Sequence, residues 1–223
     1  MKPALVPCGD SQVQAAFIAQ RILELRDEGA AMNQMAVLYR SHFHALELQL
    51  ELTRRNIPFS ITSGIRFFEQ AHIKDVTSYL RLVCNPADEL AFKRVAQLMP
   101  GIGAKAAEKL WAAFAAELAA NPPPPASANA APSPALATAL QLCAAKVPKK
   151  SAAAWAQFTP TISQLETPPA RHDASQMIRL VLEAGYEDYL EETFPNFRTR
   201  KEDIEQLATF AQQFPTPEEF LSQ

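Results

Sequence analysis

Residues 35–39 read MAVLY, an uninterrupted apolar run of the length that a buried β-strand needs. Two further short apolar runs, at residues 4–6 and 59–62, lie on either side of it along the chain. Patterns typical of helices separate the three runs. This β-α-β-α-β order predicts an α/β domain with a three-stranded parallel sheet. Because three strands make an incomplete sheet, we expect this segment to be part of a larger domain.

From Gly64 onward the pattern is helical almost throughout, with apolar residues recurring at helical spacing. Pro160 is expected to break or kink the apolar stretch around it. Residues 121–135 combine a run of prolines with Ala and Ser, which predicts an exposed linker that is partly polyproline II. The sequence therefore predicts an α/β part followed by an all-α part.

Several helix ends are marked by capping residues. Asp10 or Ser11 is placed to cap the first helix, and Gly29 to close it. Near the other end, Thr216 precedes a Pro and two Glu residues, the order expected for an N-cap and a first turn. The chain stops at Gln223, barely one turn later, so we expect the sequence to be a piece of a longer protein.

The overall charge gives no support to strong nucleic-acid binding. The 223 residues carry a net charge of -3, whereas most dedicated nucleic-acid binders are basic. Any DNA contact must therefore be local. Cys8, Cys84 and Cys143 are too far apart for a zinc site or a disulfide framework, so buried free thiols are expected. No apolar run reaches membrane-spanning length, and a cytoplasmic protein without membrane contact is expected.

Catalytic motifs are absent from this sequence. No G-x-x-x-x-G-K-[ST] loop occurs, so the chain cannot build a phosphate-cradling ATP site of that type. His42 and His44 are two residues apart with no third ligand in view, so no metal site is expected there. We therefore predict no catalytic residue, no metal site and no bound cofactor in this chain.

Residues 99–107, MPGIGAKAA, are the best candidate for contact with a nucleic acid. A helix ends near Leu98, and a new helix starts after Gly101, Ile102 and Gly103. Glycines let a backbone approach a phosphate, the new helix offers free N–H groups, and Lys105 adds a cation. This is the pattern of a helix-hairpin-helix element, in which Ile102 points inward. A plain helix–helix turn with capping glycines remains the alternative.

Two more segments are candidates. Arg40 and Ser41 follow the central predicted strand, at the end where α/β domains bind ligands, and they could hold a phosphate. An Arg that merely caps the sheet edge is the alternative. Gly64 ends the α/β pattern and could be a hinge, with Arg66 close enough to Glu69 to pair with it. The phenylalanines between them are expected to fill a core.

These segments together resemble the middle of UvrD/Rep/PcrA-like superfamily I DNA helicases in their order and spacing. The resemblance rests on residues 35–41, 57–59, 64–69, 73–76, 79–82 and 101–103. Residues 199–207 resemble the family's Arg-x-x-N-[IL]-E-E-L segment, with Asp203 in place of its Asn. The Pro-rich residues 121–135 are a departure from the family pattern.

The resemblance implies that residues 1–63 begin the RecA-like motor domain 2A and that residues 64–223 form most of accessory domain 2B. By the same resemblance, Arg40 and Ser41 contact single-stranded DNA, and Gly101, Ile102 and Gly103 grip the duplex. Gly64 and Arg66 lie at the 2A–2B swivel. The whole protein would be a 3′–5′ helicase acting in repair or replication, dependent on ATP and Mg²⁺. Its partners would be DNA, domains 1A and 1B with the rest of 2A, and repair proteins.

Two other functions remain open at this point. The acidic charge and the Pro-rich segment favour a protein-interaction or autoinhibitory module over strong DNA binding. Helicase-nucleases share this middle region as well, and nothing in the 223 residues separates them from helicases.

Overall fold

The computed structural model describes residues 3–39, 45–61, 67–120 and 135–222. The chain divides into two compact units, Met1–Gln70 and Ala71–Gln223. Whether these units coincide with helicase domains 2A and 2B stays a prediction. In the first unit, the described helices are α1 (Ser11–Asp27) and α2 (Leu46–Arg54), with short 3₁₀ turns at Met32–Gln34 and Phe67–Glu69.

Helix α1 begins and ends where its capping residues predict. The Asp10 side chain accepts a hydrogen bond from the backbone N–H of Val13 at 2.7 Å, which satisfies one of the free donors of the first turn. At the other end, Gly29 has a φ of 96°, a left-handed conformation that glycine adopts without a steric penalty. Both sequence predictions for this helix are confirmed.

The first unit packs α1 against α2 through a small apolar cluster, made of Ala15, Ala19, Leu48, Leu52 and Ile57. Glu51, nearly buried on α2, pairs with Arg55 at 2.5 Å and with Arg54 at 2.6 Å. Burial opposes ionisation of Glu51, but the two guanidinium groups outweigh it and lower the pKa of the carboxyl.

The prediction of a three-stranded parallel sheet is wrong for the described residues. Residues 4–6, 35–39 and 59–61 have no strand assignment. Leu5 and Leu38 are 96% and 93% exposed, and residues 35–39 and 57–61 line a groove of about 850 Å³ instead of pairing. An apolar run becomes a strand only where a neighbouring strand supplies ladder hydrogen bonds, so an apolar sequence alone does not decide the structure of these segments.

The second unit is built from helices throughout its described residues. One helix, Ala174–Val181, continues into a π-helical segment, Leu182–Tyr186, that is kinked at Gly185. Short 3₁₀ turns lie at Ala144–Lys146, Lys149–Ser151 and Ala170–His172. The helices are α3 (Ala71–Cys84), α4 (Glu89–Gln97), α5 (Ala104–Ala120), α6 (Ala135–Cys143), α7 (Ala152–Glu166), α8 (Ala174–Val181), α9 (Glu187–Thr193), α10 (Phe197–Ala211) and α11 (Pro217–Leu221).

Aromatic rings join α4, α5 and α7. Phe92 stacks on Phe114 with ring centroids 4.7 Å apart, and its ring lies 5.4 Å from that of Trp111. Trp155 meets Phe92 edge-on at 6.3 Å and donates a hydrogen bond to the Leu140 carbonyl at 3.0 Å. Offset and edge-on pairs of this kind add stability beyond the area they bury. They fix the relative positions of the two helices that precede and follow residues 98–103.

Helix α3 contributes Asp75, a carboxylate that is only 4% exposed. Arg94 of α4 donates to it at 2.6 Å, and the Tyr186 hydroxyl donates to its other oxygen at 2.8 Å. The pKa of Tyr186 is raised, mainly because the hydroxyl is buried and, to a smaller extent, because the negative charge of Asp75 lies beside it. A buried charge is tolerated when it is paired in this way, so Asp75 ties α3 to α4 and to the segment after α8.

His72, one turn earlier on α3, joins this helix to α10. Arg200 donates to the Nδ1 atom of His72 at 2.9 Å, and Nε2 lies 3.2 Å from the Asp203 carboxylate. A guanidinium can only donate, so Nδ1 accepts and Nε2–H donates to Asp203. Residues 73–76 and 199–207 were two separate segments of the family resemblance, and their helices meet through these side chains.

Three details differ from the sequence predictions. Residues 121–134 of the Pro-rich stretch lie outside the described residues, but Ala135, expected in the linker, begins α6. Helix α7 does not break at Pro160, because buried residues on both sides, such as Phe158 and Ile162, hold it in the core; a kink at Pro160, the other expected outcome, stays a prediction. All three cysteines are free, yet only Cys143 is buried.

The Thr216 prediction is confirmed, since its hydroxyl accepts from the Glu219 N–H at 3.2 Å and Pro217 opens α11. Among the described helices, none is long and apolar enough to cross a membrane.

Replacing Asp75 with Ala should lower the free energy of unfolding of the second unit by about 3 kcal/mol. This value is at the lower end of the range for breaking a buried ion pair, since Arg94 is partly exposed and can rehydrate. Both tryptophans lie in this unit, so urea unfolding followed by tryptophan fluorescence measures it selectively. Asp188→Ala, at an exposed carboxylate, is the control and should stay within about 0.5 kcal/mol. Equal loss in both variants would contradict the prediction.

Candidate nucleic-acid interface

The connection between α4 and α5, residues 98–103, is called the hairpin below. Backbone hydrogen bonds close the end of α4, with Leu98 N–H bonding to Val95 at 3.1 Å and Met99 N–H to Ala96 at 3.2 Å. The Ile102 N–H then bonds back to the Met99 carbonyl at 3.2 Å, which folds the hairpin into a tight turn. Its backbone is therefore ordered by local bonds.

Gly101 lies at the tip of this turn and is exposed. Its φ of 88° lies in the left-handed region, which residues with a Cβ rarely adopt. A Cβ built there would lie 3.4 Å from both the Lys150 Cδ and the Ser151 Oγ. The left-handed conformation favours glycine at this position, whereas the two neighbours lie at ordinary van der Waals distance.

Gly103 is the N-cap residue of α5. Its carbonyl accepts from the Ala106 and Ala107 N–H groups at 3.0 and 2.9 Å, so these are the first two helical donors to be satisfied. The N–H groups of Ala104 and Lys105, which precede these residues, lack a partner within the helix. Gly103 has no capping side chain, and nothing lies within 4 Å of the position its Cβ would take. The positive end of α5 is thus open to an approaching anion.

Ile102 separates the two glycines and faces inward, being 4% exposed. Its burial fixes the turn to the protein interior and leaves the flanking glycine backbone at the surface. Lys105, in the first turn of α5, is exposed. The structure thus brings Gly101, Ile102, Gly103 and Lys105 together on one short segment.

The nearest carboxylates on the two helices are occupied. Lys93 of α4 forms ion pairs with Glu89 and with Glu108 of α5. The hydrogen bonds with Glu108 and Glu89 raise the pKa of Lys93. Lys93 offsets one of the two negative charges, so the cluster keeps a net charge of -1 and opposes part of the positive charge that Lys105 and the helix end provide.

The other predicted site residues, Arg40, Ser41, Gly64 and Arg66, lie outside the described residues. Phe67 is fully buried, as expected for a core residue. In the described part of the chain, no group of three His, Cys, Asp or Glu side chains could hold a metal ion.

Sequence reasoning missed the 3₁₀ turn Lys149–Ser151, which lies against the hairpin. The Ser151 hydroxyl donates to the Pro100 carbonyl at 2.7 Å, and the side chains of Lys150 and Ser151 both lie 3.4 Å from the position of a Gly101 Cβ. One signal was available in the sequence. Residues 118–165 contain no Asp or Glu, and their only charged residues are Lys146, Lys149 and Lys150.

Comparison with known proteins finds relatives among the DNA helicases II and PcrA, as the sequence motifs predicted. Aligned at 40% identity over 95 residues is DNA helicase II of Salmonella typhimurium, covering 42% of this chain and 13% of that protein. ATP-dependent DNA helicase PcrA of Bacillus subtilis is 32% identical over 111 residues, covering 48% and 15%. PcrA of Leuconostoc citreum is 27% identical over 205 residues, covering 90% and 26%.

The chain thus spans about a quarter or less of the length of these relatives. The sequence profile of the UvrD-like helicase C-terminal domain matches residues 2–119, which is more than half of the 223 residues and includes the hairpin. The chain therefore belongs to the family of UvrD-like helicase C-terminal domains.

Proposed function

We propose that this chain is the part of an ATP-dependent DNA helicase that holds duplex DNA by its sugar–phosphate backbone, through the hairpin. One observation carries the proposal: Gly103 leaves the positive end of α5 bare, while buried Ile102 anchors the turn. A phosphate oxygen can approach the free N–H groups in the first turn of α5 without meeting a side chain at residue 103.

This geometry suits contact that does not depend on base sequence. Reading bases requires side chains that reach into a groove, whereas the first turn of α5, directly after the hairpin, presents backbone N–H groups and Lys105. A helicase needs that independence, because every sequence passes through it. The helix-hairpin-helix element of the sequence analysis is, in this proposal, the duplex grip.

The remaining roles follow from the family. Residues 1–63 would belong to motor domain 2A and residues 64–223 to accessory domain 2B, with Gly64 and Arg66 at the swivel between them. Arg40 and Ser41 would contact the single strand. Domains 1A and 1B, together with the rest of 2A, would bind ATP and Mg²⁺ and drive movement from 3′ to 5′ during repair or replication. Repair proteins would be further partners.

Gly103→Asp should weaken binding to duplex DNA by at least about tenfold, because the new carboxylate repels phosphate at the end of α5. Folding should be preserved, since Asp is a favourable N-cap and the space around Gly103 is open. Fluorescence anisotropy at low salt, with a duplex carrying a 3′ single-stranded tail, measures the affinity. Gly101 is unsuitable for this test, because its left-handed backbone would be strained by any side chain.

Gly9→Asp is the matched control, because Gly9 also has open space around it and lies in the other unit. It adds the same charge and should bind DNA like the wild type. If the wild type binds and Gly103→Asp binds equally well, the hairpin is not the grip. If the folded wild type does not bind at all, a protein-interaction module becomes the better interpretation.

The purified chain should not hydrolyse ATP, because it has no P-loop sequence to hold the phosphates. Phosphate release in the presence of Mg²⁺, with and without single-stranded DNA, is the measurement. Hydrolysis above the level of a mock purification, abolished by a substitution within these 223 residues, would contradict the proposal.

A further inference from the structure

We infer that Lys149 and Lys150 form a second phosphate contact beside the hairpin, so that the two segments together hold more than one phosphate of the duplex. This inference rests on the proposed function. It assigns a binding role to the turn Lys149–Ser151, which lies about fifty residues after the hairpin in the sequence.

The turn is attached to the hairpin by a buried hydrogen bond. Ser151 is fully buried, and its hydroxyl donates to the Pro100 carbonyl at 2.7 Å. Pro100 immediately precedes Gly101, so the bond fixes the lysines to the turn that carries the free N–H groups. A buried hydroxyl that lost this acceptor would destabilise the fold, which keeps the two segments together.

Lys150 itself lies against Gly101. A Cβ placed on Gly101 would be 3.4 Å from the Lys150 Cδ and 3.5 Å from its Cβ. The aliphatic part of Lys150 therefore lies beside the exposed Gly101, at the distance of an ordinary van der Waals contact.

Within residues 118–165 the charged side chains are all of one sign. Lys149 and Lys150 are exposed, and neither forms an ion pair with a carboxylate among the described residues. No Asp or Glu occurs in residues 118–165. In a chain with a net charge of -3, this concentration of unpaired cations is a local feature.

Duplex DNA fits this arrangement because its charges are closely spaced. It carries one negative charge per about 1.7 Å of helix axis, so a surface with cations on both sides of a turn meets several phosphates. Lysine ammonium groups on flexible stems can follow phosphates without fixing a base sequence. The N–H groups at the start of α5 would hold one phosphate, and Lys149 and Lys150 would hold the phosphates next to it.

The experiment compares the salt dependence of duplex binding for the wild type and for the double variant Lys149→Gln, Lys150→Gln. Each lost phosphate contact reduces the slope of log affinity against log salt by about 0.9, so we expect the slope to become shallower by about 1 to 2. Affinity at low salt should fall by roughly tenfold or more. Because both lysines are exposed, the urea midpoint of tryptophan fluorescence should not change.

Arg179→Gln, Arg198→Gln is the matched control, since it removes two exposed positive charges from the same unit. It should leave the slope within about 0.5 of the wild type. An unchanged slope in the lysine variant, with Gly103→Asp still weakening binding, overturns this inference and leaves the proposed function standing. Equal slope changes in both double variants would overturn it too, because general charge would then explain the effect. A folded wild type that binds no duplex overturns both.

Discussion

The second unit depends on the way α3 carries two ionisable side chains, His72 and Asp75, into the protein interior. Burying such groups is costly unless every partner is in place. The partners come from α4, from α10 and from the segment after α8, so these elements can adopt only one mutual arrangement that satisfies both side chains.

Helix α4 connects this network to the hairpin. Arg94 fixes α4 on one side through Asp75, and Phe92 fixes it on the other through the rings of α5 and α7. The hairpin begins at the C-terminal end of α4, a helix that is fixed by two sets of contacts, those of Arg94 and those of Phe92. Its N–H groups are therefore positioned before any ligand arrives, which lowers the ordering cost of binding.

The sequence was sufficient wherever the determining contacts are local. The caps at Asp10 and Thr216 were predictable because a cap lies within a few residues of the N–H it bonds. The prediction of a strand at residues 35–39 was wrong because a strand also needs a neighbouring strand to pair with, which a local sequence pattern does not reveal. Pro160 shows the opposite case, in which burial of its neighbours keeps a helix intact against its local preference.

The candidate site also contains features that depend on local sequence and features that depend on contacts between distant segments. Gly101, Ile102 and Gly103 were recognisable because their spacing is itself the signal. The turn at Lys149–Ser151 was not, since only the fold brings Ser151 to the Pro100 carbonyl. The absence of acidic residues in residues 118–165 was visible in the sequence, but it acquires a meaning only when the structure places Lys150 beside Gly101 of the hairpin.

The acidic net charge of the chain is compatible with the proposed local positive surface, and it also limits the affinity of that surface for duplex DNA. Non-specific affinity grows with the number of phosphates neutralised, and so does the time a protein stays at one place on the duplex. A helicase that advances along DNA must release its grip at each step. A surface that neutralises only a few phosphates, within a chain whose remaining charge is repelled by DNA, would hold the duplex in place and still let it move. In that role the weakness of the contact is a requirement, because each added cation would tighten the grip and slow its release.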